Sequence, residues 1–205
     1  MSEPGRTTDA TARQRHIAKA ALICFGRSGF HGASMQDICA EAGMSAGALY
    51  RYFPSKAAII VAIVEAEREQ HAQMFAPLED AADPLAALQA LGEAFLTQQL
   101  TGNTGMLTFD VIAEAGRNPE VMQAVEKTAS FVRDTLRRAM QRGQGLGVVD
   151  PSLDVEAACQ LILALGDGLC VQFGGPHGIA AERIIASLKL LLERFCRPSH
   201  AGATP

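Results

Sequence analysis

The chain has 205 residues, 48% of them hydrophobic and 20% charged, with a formal net charge of −4. These values are typical of a soluble globular protein of one or two domains. They exclude a transmembrane protein, because no apolar run approaches the ~20 residues that cross a bilayer. The polar N-terminus lacks the apolar core of a secretory signal. We therefore expect a cytoplasmic protein that has no membrane partner.

The charge is unevenly distributed along the chain. Residues 1–56 carry a net charge of +3, whereas residues 57–205 carry −7. A basic N-terminal part on an acidic remainder indicates that the N-terminal part alone meets a polyanion. A chance distribution of surface charge is the alternative.

The cysteines predict neither disulfides nor a metal site. Their number is odd, their spacing is wide and no CxxC pair occurs. They are Cys24, Cys39, Cys159, Cys170 and Cys196. We expect reduced thiols that pack as small apolar side chains, with a redox sensor as the alternative. No cofactor is expected.

Helical periodicity dominates the chain, and sustained strand alternation is absent, so the sequence predicts an all-α fold of about nine helices. Apolar residues recur at helical spacing in the first predicted helix, which ends at Gly29. They are Ile17, Ala20, Ala21, Cys24 and Phe25.

Two short helices are predicted next. Ser34 and Asp37 form a capping box that opens one helix, and Gly43 closes that helix. Ser45 caps the following helix, which runs to Phe53 before a proline.

A longer fourth helix is predicted from Ser55 to about Met74. The proline-rich, acidic segment 76–84 follows it and is the best candidate domain junction. Turn clusters separate the remaining predicted helices. Those helices span about 84–101, 105–116, 118–143, 154–173 and 179–196.

The helix after Ser45 has the shape of a DNA-reading helix. Leu49 and Phe53 share one face and should pack inward, while small residues occupy the leading end. A slim leading end lets a helix enter the major groove deeply. The predicted DNA contacts are Ser34, Ser45, Ala46, Gly47, Tyr50, Arg51, Tyr52 and Lys56.

Different roles are expected within this set. Arg51 can read a guanine edge or hold a phosphate. The phenols of Tyr50 and Tyr52, the ammonium of Lys56 and the hydroxyl of Ser34 suit phosphate oxygens. A helical pair that serves packing alone is the alternative.

The segment HGASMQDICAEAGMSAGALYRYFPSKAAII, residues 31–60, resembles the DNA-binding segment of the TetR family of bacterial transcriptional regulators. The resemblance implies a helix-turn-helix domain over 13–56, after a flexible arm over 1–12. It also implies a ligand-binding and dimerisation domain over 57–197, before a disordered tail over 198–205. Two positions depart from the family pattern. Ala46 replaces a polar residue, and Cys39 replaces an alanine.

The C-terminal part offers a dimer surface and a pocket. The last two predicted helices are apolar over wide faces, which favours a homodimer, although burial within one subunit is the alternative. A pocket is expected among the middle helices, where core packing is the alternative. Its predicted ligand-binding residues are Met106, Phe109, Asp110, Phe131 and Phe173.

These features predict a dimeric, sequence-specific transcriptional regulator on a palindromic operator. We expect a repressor that a small, largely apolar effector releases by shifting the fourth helix. No catalytic motif occurs and the five histidines are scattered, so an enzyme is not expected. A helical interaction protein without DNA function, an activator and a thiol-responsive regulator remain the alternatives.

Overall fold

The computed structural model describes residues 4–101, 105–173 and 179–198, which form nine α-helices and, within those ranges, no β-strand. The all-α prediction is confirmed. The helices are α1 (Pro4–Gly32), α2 (Met35–Glu41), α3 (Ala46–Tyr50), α4 (Lys56–Asp80), α5 (Pro84–Thr101), α6 (Gly105–Ala115), α7 (Pro119–Gly145), α8 (Val155–Phe173) and α9 (Ala181–Cys196). In the part of the chain that the structure describes, no helix is both long and apolar enough to span a bilayer.

The first helix starts earlier and ends later than the sequence predicts. α1 begins at Pro4, so residues 4–12 of the expected flexible arm are helical, and proline is well suited to a first helical position. Gly29 has non-helical backbone angles, φ 69° and ψ 166°, in agreement with the prediction that the helix ends there. One further turn then follows, to Gly32. Residues 1–3, and residues 199–205 of the expected tail, lie outside the described residues.

The chain divides into two compact units, each with its own apolar core. The first unit, which we call the head, comprises Met1–Arg68 and Met106–Thr128. Its core joins the first four helices to α6 and the start of α7, through Val111, Ala115 and Val121. The head therefore includes more of the chain than the predicted 13–56, because these later residues complete its core.

The second unit, which we call the body, comprises Glu69–Gly105 and Ala129–Pro205. α5 packs against both α8 and α9 in this unit. Large apolar side chains from five helices and one loop fill its core. Among them are Leu78, Leu85, Leu136, Met140, Val149 and Leu192.

α4 continues through Pro77 to Asp80, past the predicted end near Met74. The last carbonyls of such a helix lack intrahelical partners. The Arg142 guanidinium is the hydrogen-bond donor to these carbonyls. Its Nη2 donates to the Leu78 carbonyl at 2.7 Å and to the Ala81 carbonyl at 3.0 Å. This tertiary cap accounts for helix where the sequence indicates a linker.

The glycine-rich loop after α7 is held by close packing. A Cβ placed on Gly143 would lie 2.5 Å from Cγ2 of Val149, a buried side chain that cannot move away into solvent. We expect Gly143→Ala to lower the free energy of unfolding by about 1–3 kcal/mol, because it overpacks this contact. Urea unfolding followed by circular dichroism measures the change.

Gly145→Ala is the matched control for this prediction. It lies two residues further along α7, and a Cβ there meets nothing within 4 Å. If the two variants unfold at the same urea concentration, the packing argument at Gly143 is wrong.

Candidate DNA-binding site

The turn between α2 and α3 is set by its glycine. Gly43 has a positive φ of 61°, which glycine adopts without strain. Its N–H donates to the Ala40 carbonyl at 3.2 Å, and the Met44 N–H donates to the Cys39 carbonyl at 2.9 Å. This pair of bonds is the Schellman arrangement that ends a helix. The predicted three-residue turn of a helix-turn-helix is therefore present.

Ser34 is engaged as the N-cap of α2. Its hydroxyl oxygen accepts from the Asp37 N–H at 3.1 Å, and its hydroxyl donates to the Asp37 carboxylate at 2.6 Å. The hydrogen bonds from the Ser34 hydroxyl and backbone lower the pKa of Asp37. Phosphate oxygens need a donor, and the one hydroxyl donor of Ser34 is already used. The predicted capping role of Ser34 is therefore present, and its phosphate contact stays a prediction.

The surface of α3 matches the predicted orientation. Leu49 and Phe53 are buried in the head core. On the other side, Ala46, Gly47 and Arg51 are exposed, and Tyr50 is 51% exposed. Nothing lies within 4 Å of a Cβ placed on Gly47, so the leading end of α3 is slim.

Two further predicted contacts differ in their surroundings. Ser45 is exposed and caps α3, because its hydroxyl oxygen accepts from the Ala48 N–H at 3.3 Å. Its hydroxyl proton is not used by that bond. Tyr52 is half-buried and packs against the head core.

Lys56 binds the backbone of the head. Its Nζ donates to the carbonyls of Ala33 at 2.6 Å, Phe30 at 2.7 Å and His31 at 3.4 Å. It also lies 4.7 Å from the centroid of the Phe30 ring. An ammonium has three donors, and here each meets a carbonyl of the connection between α1 and α2. Lys56 therefore caps the end of α1, and its contact with phosphate stays a prediction.

Sequence reasoning missed two other contacts that hold the recognition elements. The His16 ring donates from Nε2 to the Ala42 carbonyl at 2.9 Å, which attaches α1 to the end of α2. Arg27 forms an ion pair with Glu41 at 2.7 Å. Both partners are more than ten residues away along the chain, so no local pattern indicates either contact.

Of the predicted ligand-binding residues, the structure describes the side chains of Asp110 and Phe131, and their binding role stays a prediction. Asp110 accepts a hydrogen bond from the Phe30 N–H at 3.0 Å, within the head. Phe131 packs against the core of the body. The side chains of Met106, Phe109 and Phe173 lie outside those that the structure describes.

The described cysteines are buried, which favours a packing role. Burial raises the pKa of the Cys24 thiol, and it raises the pKa values of Cys159 and Cys196 to about 11. A thiol that keeps its proton is a weak nucleophile and a weak redox sensor. Among residues 4–101, 105–173 and 179–198, no group of three His, Cys, Asp or Glu side chains is placed to hold a metal ion.

Two partly buried titratable groups, Glu67 and His71, lie one turn apart on α4. Burial raises the pKa of Glu67 and lowers the pKa of His71. The Nδ1 atom of His71 is buried, with no hydrogen-bond partner in the described structure. The helical spacing of the two residues was visible in the sequence, but their burial was not.

Two family models match the chain. The one described as bacterial regulatory proteins, tetR family, covers residues 17–63 and therefore the helix-turn-helix. The one described as BetI-type transcriptional repressor, C-terminal, covers residues 84–197, more than half of the chain. Both describe transcriptional regulators rather than enzymes.

Known regulators are similar in sequence. The HTH-type transcriptional regulator UidR of Escherichia coli K12 is 28% identical over 165 residues, which cover 79% of this chain and 82% of UidR. RutR of the same strain is 35% identical over 88 residues, which cover 43% of this chain and 40% of RutR.

Solved structures share the fold. Salmonella enterica GusR has a TM-score of 0.76 at 26% identity, covering 95% of this chain and 97% of GusR. AibR, solved with isovaleryl coenzyme A and operator DNA, has a TM-score of 0.74 at 20% identity, covering 87% of this chain and 97% of AibR. The agreement extends over head and body alike.

The observed contacts of Lys56 predict a stability effect. Lys56→Met keeps the length of the side chain but removes the three donors, so the free energy of unfolding should fall by about 1–3 kcal/mol. Lys19→Met, at an exposed position of α1, is the control and should change it little. Equal urea midpoints for the two variants would contradict the capping role.

The burial of His71 predicts a pH effect. Its pKa is lower in the folded protein than in the unfolded chain, so below about pH 6.5 the unfolded chain binds a proton that the fold excludes. The free energy of unfolding is therefore lowered by His71 as the pH falls below that value, and it is unaffected by His71 above it. We expect the unfolding free energy of the native protein to fall more steeply from pH 7 to pH 5 than that of His71→Gln. If urea titrations show that the unfolding free energies of the native protein and of His71→Gln fall equally from pH 7 to pH 5, this prediction is wrong.

Proposed function

The chain belongs to the TetR family of bacterial transcriptional regulators, and we propose that it acts as a homodimeric repressor which a small, largely apolar effector releases from its operator. The exposed, slim face of α3 above buried Leu49 and Phe53 carries this proposal. Such a face has no packing function within the part of the chain that the structure describes, and its shape suits the major groove. The protein would act in the cytoplasm, on chromosomal DNA.

On the operator, α3 lies in the major groove with Ala46 and Gly47 nearest the bases. Arg51 reads a base edge and Tyr50 donates its hydroxyl to a phosphate. Their exposure supports these roles, since neither side chain must leave the core to reach DNA. Ser34, Tyr52 and Lys56 contribute by positioning the helices, through the cap, the core packing and the carbonyl contacts described above.

The dimer forms through α8 and α9. Each helix has a face that packs inside the body and an outer face that is also apolar. On the outer side, Leu161 is 61% exposed, and Leu190 and Leu191 are each 48% exposed. A surface of this kind is typical of a subunit interface. A twofold dimer matches a palindromic operator whose half-sites lie about one DNA turn, ~34 Å, apart or a multiple of that.

The effector acts from a pocket in the ligand-binding domain. α4 is one continuous helix from Lys56 to Asp80, so a change at its C-terminal part can reach the head. The effector works only through its different affinities for the two states. AibR, whose structure holds both an acyl coenzyme A and operator DNA, shows that a protein of this fold accommodates both partners.

The DNA-binding proposal is tested by selecting bound duplexes from a random pool with the purified protein. We expect a palindromic consensus whose affinity falls steeply as the salt concentration rises. Arg51→Ala should cost about 1–3 kcal/mol of binding and relax the preference at one position of each half-site. Arg138→Ala, an exposed arginine of the body, is the matched control. If no duplex is enriched, the proposed function is wrong.

The dimer surface gives a separate prediction. Leu190→Glu combined with Leu191→Glu should convert the dimer to a monomer in sedimentation velocity and abolish tight operator binding, because buried charges at an interface are costly. Leu146→Glu alters an equally exposed apolar residue outside α8 and α9 and should leave the dimer intact. A dimeric double variant would exclude this interface.

Repression and activation are separated by a reporter gene placed behind the selected duplex. Repression requires that expression rises when the gene for the protein is deleted, and that compounds which release the purified protein from the duplex raise expression as well. Expression that falls on deletion would show an activator. That outcome would leave the proposals about the operator and the dimer unchanged.

A further inference from the structure

The connection between α1 and α2 comprises residues 29–33: the last turn of α1, which Gly29 separates from the rest of that helix, and Ala33. The Ala33 N–H donates to the Gly29 carbonyl at 3.1 Å, and Ser34, the N-cap of α2, follows directly. The position of this turn therefore sets where α2 starts and, through the short turn at Gly43, where α3 lies. Its own stability cannot come from its length, because one isolated turn of helix is unstable in water.

The turn is capped at both ends by side chains from distant elements. At its start, the Phe30 N–H donates to the Asp110 carboxylate of α6 at 3.0 Å. At its end, the Lys56 ammonium of α4 binds the carbonyls of Phe30, His31 and Ala33. A negative group at the N-terminal end and a positive group at the C-terminal end both oppose the dipole of the turn, so each stabilises it.

A second contact joins the same turn to the residues after α6. Arg117 Nη1 lies 3.0 Å from His31 Nε2. Because a guanidinium only donates, the His31 ring accepts this bond. Val111 and Ala115, on α6 itself, are buried in the head core beside these contacts. Movement of α6 therefore cannot leave the turn unchanged.

We propose that Asp110 is a positioning residue for DNA binding: its carboxylate holds the connection between α1 and α2 in the geometry that presents α3. The proposal rests on the proposed function. The cost of breaking the contact is the loss of a charge-assisted hydrogen bond together with an unpaired, partly buried N–H.

Gly29 adds an independent reason for the contact. Its positive φ of 69° interrupts the helical hydrogen bonding, so the N–H of the next residue needs an acceptor from elsewhere. The Asp110 carboxylate is that acceptor, and its Oδ2 is also 3.9 Å from a Cβ placed on Gly29. The backbone conformation and the remote carboxylate are thus matched to each other.

Two substitutions of nearly equal size separate the hydrogen bond from packing. Asp110→Asn keeps a carbonyl acceptor for the Phe30 N–H, whereas Asp110→Leu has none. With the duplex selected by the native protein, we expect Asp110→Leu to weaken binding about tenfold or more and Asp110→Asn to stay within about threefold. The slope of log affinity against log salt should be unchanged in both, because Asp110 contacts no phosphate.

Amide hydrogen exchange provides a readout that needs no DNA. In the native protein the Phe30 amide should be protected. In Asp110→Leu the amides from Phe30 to Asp37 should exchange about tenfold faster or more, while those of the body keep their rates. Asp110→Asn should retain most of this protection. If Asp110→Leu does not fold, as circular dichroism would show, Asp110→Ala takes its place.

The possible failures are distinct. A native protein that enriches no duplex overturns the proposed function, and with it the role of Asp110 in DNA binding. A native protein that binds its duplex, with Asp110→Leu within about twofold of it, overturns the positioning role alone. An unprotected Phe30 amide in the native protein excludes the contact itself.

Discussion

The structure of the head depends on burial beneath a helix that is too short to be stable alone. α3 has five residues, fewer than an isolated helix needs in water. Leu49 and Phe53 are buried under it, and Ser45 caps its start. Hydrophobic burial of two large side chains stabilises the head by several kcal/mol in total, ~1.5–3 kcal/mol for each. The opposite face of α3, with Ala46, Gly47 and Arg51, is exposed and does not contribute to this core.

The parts of the fold that the sequence predicts are those determined by neighbours along the chain. The capping box at Ser34, the turn at Gly43 and the face of α3 each involve residues within about one turn of each other. All three are present at the predicted positions. The all-α class follows in the same way, because helical periodicity is a local signal.

The parts that the sequence does not predict depend on partners far away in the chain. Lys56 and Asp110 bind backbone groups that lie 23 to 26 and 80 residues away, and the sequence predicts neither contact. α4 passes Pro77 because Arg142, more than 60 residues later, binds its last carbonyls. A backbone group has no sequence signature, so neither the composition nor the spacing of these residues reveals which carbonyl or N–H they meet.

The exposure of the leading end of α3 has a consequence for divergence among related regulators. Gly47 has open space around its Cα, and Arg51 lies at the surface. Substitutions at such positions would alter the side chains that the proposed function places in the groove, while leaving the packing of Leu49 and Phe53 intact. Surface replacements of this kind typically change stability by no more than about 0.5 kcal/mol. After gene duplication, a copy of this protein can therefore acquire a new binding sequence by a few surface mutations, without passing through an unfolded intermediate.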